Sequence, residues 1–441
     1  MRAQPLGAFA LPAGFMLVPE VDDPSVDETV ASLLAGKLPQ RWPAAMRAHE
    51  FAHGGDVEAA MAVLVADDPY TLYNRFLLGT DYVDPAHLAA RLPPELAPLV
   101  DVVRYTNGDC EAPPALVAGD PVCDVVAALV LATQATEALS IGRPADAVAL
   151  LHRAADRAEG DSPPLAAVLH GNAGTVGYEH GLDHDVARAD LLMATRALTD
   201  TDLDVSKAEL HYQLGMLEHA DAVAAGASLR PAMHHYYTTL QLVTERSAPH
   251  LWASAQVNLA TAYLASPMVE ATDALRMGIA IQAMRAALQV FTKDEHPAQW
   301  ATTTLNLANA LIYTPSVKQG DNLVEAVELY EDVLAVRGRD ADPLGRARVL
   351  ANQGNALAHL GIFDQAKAKL YEARFLFEEH LDHDSALTVR SVLDEIAKQS
   401  VPQEGHQAAG RLAMGGVDGV RGAQAAQPKG DDRGPSSAAA V

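Results

Sequence analysis

Trp252 opens the segment Trp-Ala-Ser-Ala-Gln-Val-Asn-Leu-Ala-Thr-Ala, and Trp300, 48 residues further on, opens Trp-Ala-Thr-Thr-Thr-Leu-Asn-Leu-Ala-Asn-Ala. A third copy begins at Ala347 as Ala-Arg-Val-Leu-Ala-Asn-Gln-Gly-Asn-Ala, which sets Asn352 46 residues beyond Asn306. Self-similarity at a near-fixed period restricts the fold to stacked supersecondary units, each of which needs a neighbour to cover its apolar face.

The unit is a pair of helices. After each copy come apolar residues at the spacing of one helix face: Ala280, Met284, Ala287 and Leu288; then Ala326, Tyr330, Val333 and Leu334; then Ala366, Leu370 and Ala373. Small residues let two backbones approach closely, and the large residue between them fills the gap. Composition agrees. Hydrophobic residues make up 49% of the chain but aromatics only 5%, so the apolar surface is mostly Ala, Leu and Val, which suits close-packed helices better than sheets. A chain of 441 residues would ordinarily divide into two or three domains unless it grows by stacking repeats.

These residues resemble the tetratricopeptide repeat family. Its pattern is a first helix with Leu-Gly and a later Tyr, a Gly turn, and a second helix with Ala, a large residue and Ala. The best match is Gln353-Gly354-Asn355-Ala356-Leu357 followed by Gly361, Ala366, Leu370 and Ala373. Earlier units match through Ala135, Gly142, Ala147, Leu151 and Ala154; through Gly171, Asn172, Gly181, Ala187, Leu191 and Ala194; and through Tyr212, Leu214, Gly215 and the run from Pro231 to Leu240. The resemblance spans roughly 120 to 380 and implies an all-α solenoid of stacked helix pairs that binds another protein. The periods of 48 and 46 exceed the family's period of about 34, and inserts at Ser266–Glu270 and Thr314–Gly320 account for the surplus.

The expected organisation is an extended N-terminal arm over 1–25, a helical capping subdomain over 26–119, a repeat array over 120–400 and a disordered tail over 401–441. The apolar run from Leu6 to Val18 is bordered by Pro5, interrupted by Pro12 and followed by acidic Glu20-Val21-Asp22-Asp23, so it reads as an arm packed on the first helices rather than a secretory signal. The tail is rich in Gly, Ala, Gln and Ser and has no aromatic residue with which to build a core.

A formal charge of -25 with no Lys/Arg-rich block repels phosphate backbones and anionic lipid, so neither nucleic acid nor membrane insertion is expected. Cys110 and Cys123 admit a chance pair, buried thiols or a single bridge, and a reducing cytoplasm fits them best.

The sharpest chemical motif is His49-Glu50-Phe51-Ala52-His53. On a helix this spacing places two imidazoles on one face to hold zinc while the carboxylate takes a proton from bound water, which makes a zinc hydrolase the alternative reading. The surroundings depart from such enzymes. Arg47 precedes the motif, Gly54-Gly55 follows at once, and Asp56 stands where metzincins carry Gly. The segment also fits the end of a first helix in a degenerate repeat. His180 and His184 straddle a Gly turn, and His234 and His235 are adjacent; both sets read as surface positions. No phosphate loop or nucleophile elbow occurs, and no catalytic residue, metal or cofactor is expected.

Carrying over the groove register of the resembled family selects Asn172, Asn258, Asn306, Asn309, Arg348, Asn352 and Asn355 as partner-binding residues. Asn donates and accepts, so a ladder of Asn side chains grips peptide backbone whatever its side chains; the competing role is bonding between neighbouring helices. Positions where chaperone-binding members grip a terminal carboxylate hold Ser254, Val257, Thr302, Leu305, Arg348 and Ala351, of which Arg348 alone is basic. The implied partner is a neutral or basic protein or peptide client, and self-association into a homo-oligomer is left open. The phrases around Asn306 and Asn352 also resemble repeat proteins encoded beside actinobacterial nickel-iron hydrogenases, which would imply an assembly or maturation factor for a metalloenzyme.

Overall fold

The computed structural model describes residues 5–9, 12–18, 21–79, 83–116, 122–266, 273–314, 318–339 and 342–399. The tail from 401 and the insert stretches 267–270 and 315–317 lie outside them. The described chain is all-helical with consecutive helices packed on one another, as in a helical solenoid, and the sole β interaction among the described residues is a bridge between Pro5 and Leu17. None of the described helices is long and apolar enough to cross a membrane. The chain forms two compact units, one up to Asp221 and one from Ala222.

The first unit begins with short helices: α1 (Pro24–Leu34), α2 (Arg47–His53), α3 (Val57–Val63), α4 (Pro69–Leu77), α5 (Pro85–Arg91) and α6 (Pro98–Thr106). Longer ones follow: α7 (Asp124–Ser140), α8 (Pro144–Ala158), α9 (Pro163–Glu179), α10 (His184–Ala197) and α11 (Asp204–Ala225), within which the division at Asp221 falls. The second unit holds α12 (Arg230–Leu242), α13 (Pro249–Ala265), α14 (Asp273–Val290), α15 (Pro297–Tyr313), α16 (Gln319–Val336), α17 (Pro343–His359), α18 (Phe363–Glu379) and α19 (His383–Gln399).

Local chemistry sets where these helices start and stop. Pro163, Pro249, Pro297 and Pro343 each occupy the first position of a helix, where the missing N–H is no loss and the fixed φ is already helical. The turn after α17 closes when Ile362 N–H donates to the Leu357 carbonyl at 2.9 Å, with Gly361 at φ 76°; the turns at Gly142 and Gly181 repeat this arrangement.

Packing follows the repeat. The second helices carry small, large and small residues at i, i+4 and i+7: Ala147, Leu151, Ala154 on α8; Ala187, Leu191, Ala194 on α10; Ala232, Tyr236, Thr239 on α12; Ala280, Met284, Ala287 on α14; Ala326, Tyr330, Val333 on α16; Ala366, Leu370, Ala373 on α18. None is more than 4% exposed. Each buried Leu, Met or Tyr contributes about 1.5–3 kcal/mol. On the facing helices Gly174, Ala260, Ala308 and Gly354 supply the close approach, and a Cβ on Gly354 would lie 2.6 Å from Leu370 Cγ.

The N-terminal segment lies deep in the first unit. Leu6 and Phe9 share a core with Val125 and Leu165, while Phe15 and Leu17 share another with Tyr73, Leu99 and Leu129. Its apolar run is thus part of that unit's core.

Candidate functional site

In the second unit the first helices α13, α15 and α17 place Asn258, Asn306 and Asn352 in one register, each two residues before the small residue that meets the second helix. Two residues are about 200° of helix rotation, so these Asn side chains turn away from the pair seam. Neighbouring first helices touch there, α13 with α15 and α15 with α17.

The structure brings Asn309, Asn352 and Tyr330 together. Tyr330 Oη donates to Asn309 Oδ1 at 2.6 Å, and Asn352 Nδ2 donates to the same oxygen at 2.9 Å. Tyr330 is fully buried, and burial, aided by the nearby Tyr313, pushes its phenol far up, so it stays a donor. One amide oxygen therefore ties α15, α16 and α17, and both lone pairs of Asn309 Oδ1 are used within the fold. Close by, Gln353 Nε2 donates to Glu331 Oε2 at 2.7 Å and Lys369 Nζ reaches the same atom at 2.9 Å. These bonds hold the Glu331 carboxyl below the usual range against its partial burial.

The remaining candidates differ. Asn306 and Asn355 are half-buried, Arg348 is exposed, and among the described residues none of the three makes a side-chain hydrogen bond. Asn258 is already engaged by a neighbouring group. Asn172, half-buried on α9, belongs to the first unit. Of the carboxylate-clamp positions, Val257 and Ala351 are buried, whereas Ser254, Thr302 and Leu305 are partly accessible. In the sequence Tyr330 stands out only as a large residue of a helix face, not as a polar partner of Asn309. The signal is a hydroxyl at a position where α8, α10, α14 and α18 hold Leu or Met and only α12 also holds Tyr, since a buried phenol needs a partner.

The HExxH residues have three separate environments. His49 is 1% exposed, next to an apolar cluster that includes Ala48, Ala52, Met16 and Leu64, and neither ring nitrogen has a well-formed hydrogen bond among the described residues. Burial pushes it down to about 4, against a weak opposing pull from the Met16 backbone. Glu50 pairs with Arg47 at 3.4 Å. His53 is exposed and lies edge-on to Phe9, with ring centroids 5.8 Å apart. Helix α2 ends at once, with Gly54 as its cap. Elsewhere, His184 Nδ1 lies 3.1 Å from Asp221 Oδ1. Compared with known proteins, the sequence matches no family model, and no curated protein is significantly similar to it.

Proposed function

We propose that this chain is a non-catalytic scaffold of tetratricopeptide type that holds a protein or peptide segment along the first helices of its second unit. The observation that carries the reading is the contrast within one register. Asn309 and Asn352 bond within the fold, while Asn306, Asn355 and Arg348, on the same helices, have no side-chain partner among the described residues and can offer their polar groups to another molecule. Amide side chains in a row recognise peptide backbone, and rigid stacked helices hold them in place without loss of loop entropy. With a chain charge of -25, long-range attraction favours a neutral or basic segment. The tetratricopeptide kinship is supported by the small-large-small spacing on every second helix and by the recurring Gly turn. A cytoplasmic setting belongs to the same reading.

The test is a photo-crosslinking residue placed at Asn306 or Asn355 in the full-length chain within its native cells, with one at exposed Glu328 on α16 as the reference. A discrete crosslinked protein at Asn306 and Asn355 but not at Glu328, diminished by Arg348→Ala, is expected. No crosslink, or the same products from all three positions, would overturn the scaffold reading.

A further inference from the structure

Three consecutive helices of the first unit bring His152 (α8), His170 (α9) and Asp190 (α10) to one point. His152 Nε2 lies 2.9 Å from Asp190 Oδ2, and His170 Nδ1 lies 3.5 Å from the other oxygen, Oδ1. All three ligand atoms fall within 4.8 Å of one another. We infer that these three side chains form a binding site for a divalent first-row transition-metal ion, of which zinc is the simplest occupant.

Four features support it. Two imidazoles and one carboxylate from three helices present converging ligand atoms, the donor types of a two-histidine, one-carboxylate set. His170 Nδ1 is buried and, among the described residues, has no hydrogen bond of good geometry, with Asp190 Oδ1 3.5 Å away. Metal–ligand bonds of about 2.0–2.2 Å set neighbouring ligand atoms about 3–3.5 Å apart, a spacing that small side-chain rotations reach here. Finally, the repeat does not require these residues. Positions that match His170 hold Gln256, Thr304 and Leu350, and those that match Asp190 hold Ala283, Leu329 and Lys369.

The setting suits an ion that arrives from solvent. Side-chain exposure is 35% for His152, 21% for His170 and 12% for Asp190, so one ligand opens to water while the carboxylate is covered. The nearest arginine along α10, Arg188, is tied to Glu218 and Asp221. Three protein ligands leave the other coordination positions to water or to a group from a client. This inference does not rest on the scaffold reading.

The experiment uses the full-length chain, stripped with chelator and titrated with Co²⁺ while visible d–d absorption is followed. The expected result is a band that saturates at one ion per chain, disappears with competing Zn²⁺ and is lost in His170→Ala. His152→Ala, at the more exposed ligand and so of little risk to folding, should weaken binding by at least about tenfold with the helical circular dichroism unchanged. His49→Leu serves as the reference and should keep the band. With 17 histidines in the chain, uptake with no break at one equivalent is adventitious and would overturn the inference, as would a folded His152→Ala that binds like the parent.

Discussion

The side-chain amide of Asn74 on α4 satisfies both backbone groups of Leu17: its Oδ1 accepts from the Leu17 N–H at 2.8 Å and its Nδ2 donates to the Leu17 carbonyl at 2.8 Å. Asn74 is 2% exposed and Leu17 fully buried, so no water is at hand to replace the amide. Asn74→Ala leaves two backbone groups unpaired and should lower unfolding stability by about 2–4 kcal/mol. Asn74→Asp keeps an acceptor, loses the donor and buries a charge, so it should cost more at neutral pH. Chemical denaturation of the two variants checks the order.

Asn309 gives a test of fold against binding. Asn309→Ala strips the buried Tyr330 hydroxyl of its acceptor and should cost about 1–3 kcal/mol. Removing the hydroxyl as well, in Asn309→Ala/Tyr330→Phe, should recover much of that loss, because neither partner is then left alone. A double-mutant cycle by denaturation measures the coupling. Asn306→Ala, whose side chain has no partner among the described residues, should change stability by less than about 0.5 kcal/mol.

His49 sets an acid limit on the first unit. Its folded pKa of about 4 lies below the ordinary value of 6.5, so between these values the unfolded chain binds more protons than the folded one. The stability contribution is therefore complete above about pH 6.5 and is lost as pH falls toward 4, by about 3 kcal/mol in total. His49→Leu should flatten this limb of the stability–pH curve. An unchanged slope between pH 4 and 6.5 would assign the acid sensitivity to other groups.

Leu381 occupies a glycine position. After α18, Asp382 N–H donates to the Phe377 carbonyl at 2.9 Å, the same closure that Gly361 permits after α17, yet Leu381 sits at φ 59° with 75% of its surface exposed. Leu381→Gly should raise stability by about 1 kcal/mol, since a left-handed L-residue is strained and this side chain buries little. Gly354→Ala should act in the opposite sense and cost about 1–3 kcal/mol, because Leu370 must move. Thermal midpoints of both variants report the two signs.

The helix pairs were legible because their signal is local. Ala326, Tyr330 and Val333, or Ala366, Leu370 and Ala373, declare a helix face by spacing alone, and the prolines and Gly361 mark its limits. The candidate binding row was legible only as a row. Asn309 and Asn352 are 43 residues apart, and nothing in their neighbours says that one oxygen serves both Asn352 and Tyr330. His152, His170 and Asp190 are illegible in the sequence for the same reason: they sit on three different helices and form no motif by spacing.

What the sequence by itself determined was the repeating helix pair, because periodicity, turn residues and small-large-small spacing act within a few turns of one chain segment. The tertiary structure decided which polar residues are spent inside and which remain outside. That division depends on how neighbouring helices meet, and a side chain such as Asn309 changes from ligand-ready to structural when a hydroxyl from the next helix arrives within hydrogen-bond distance of it.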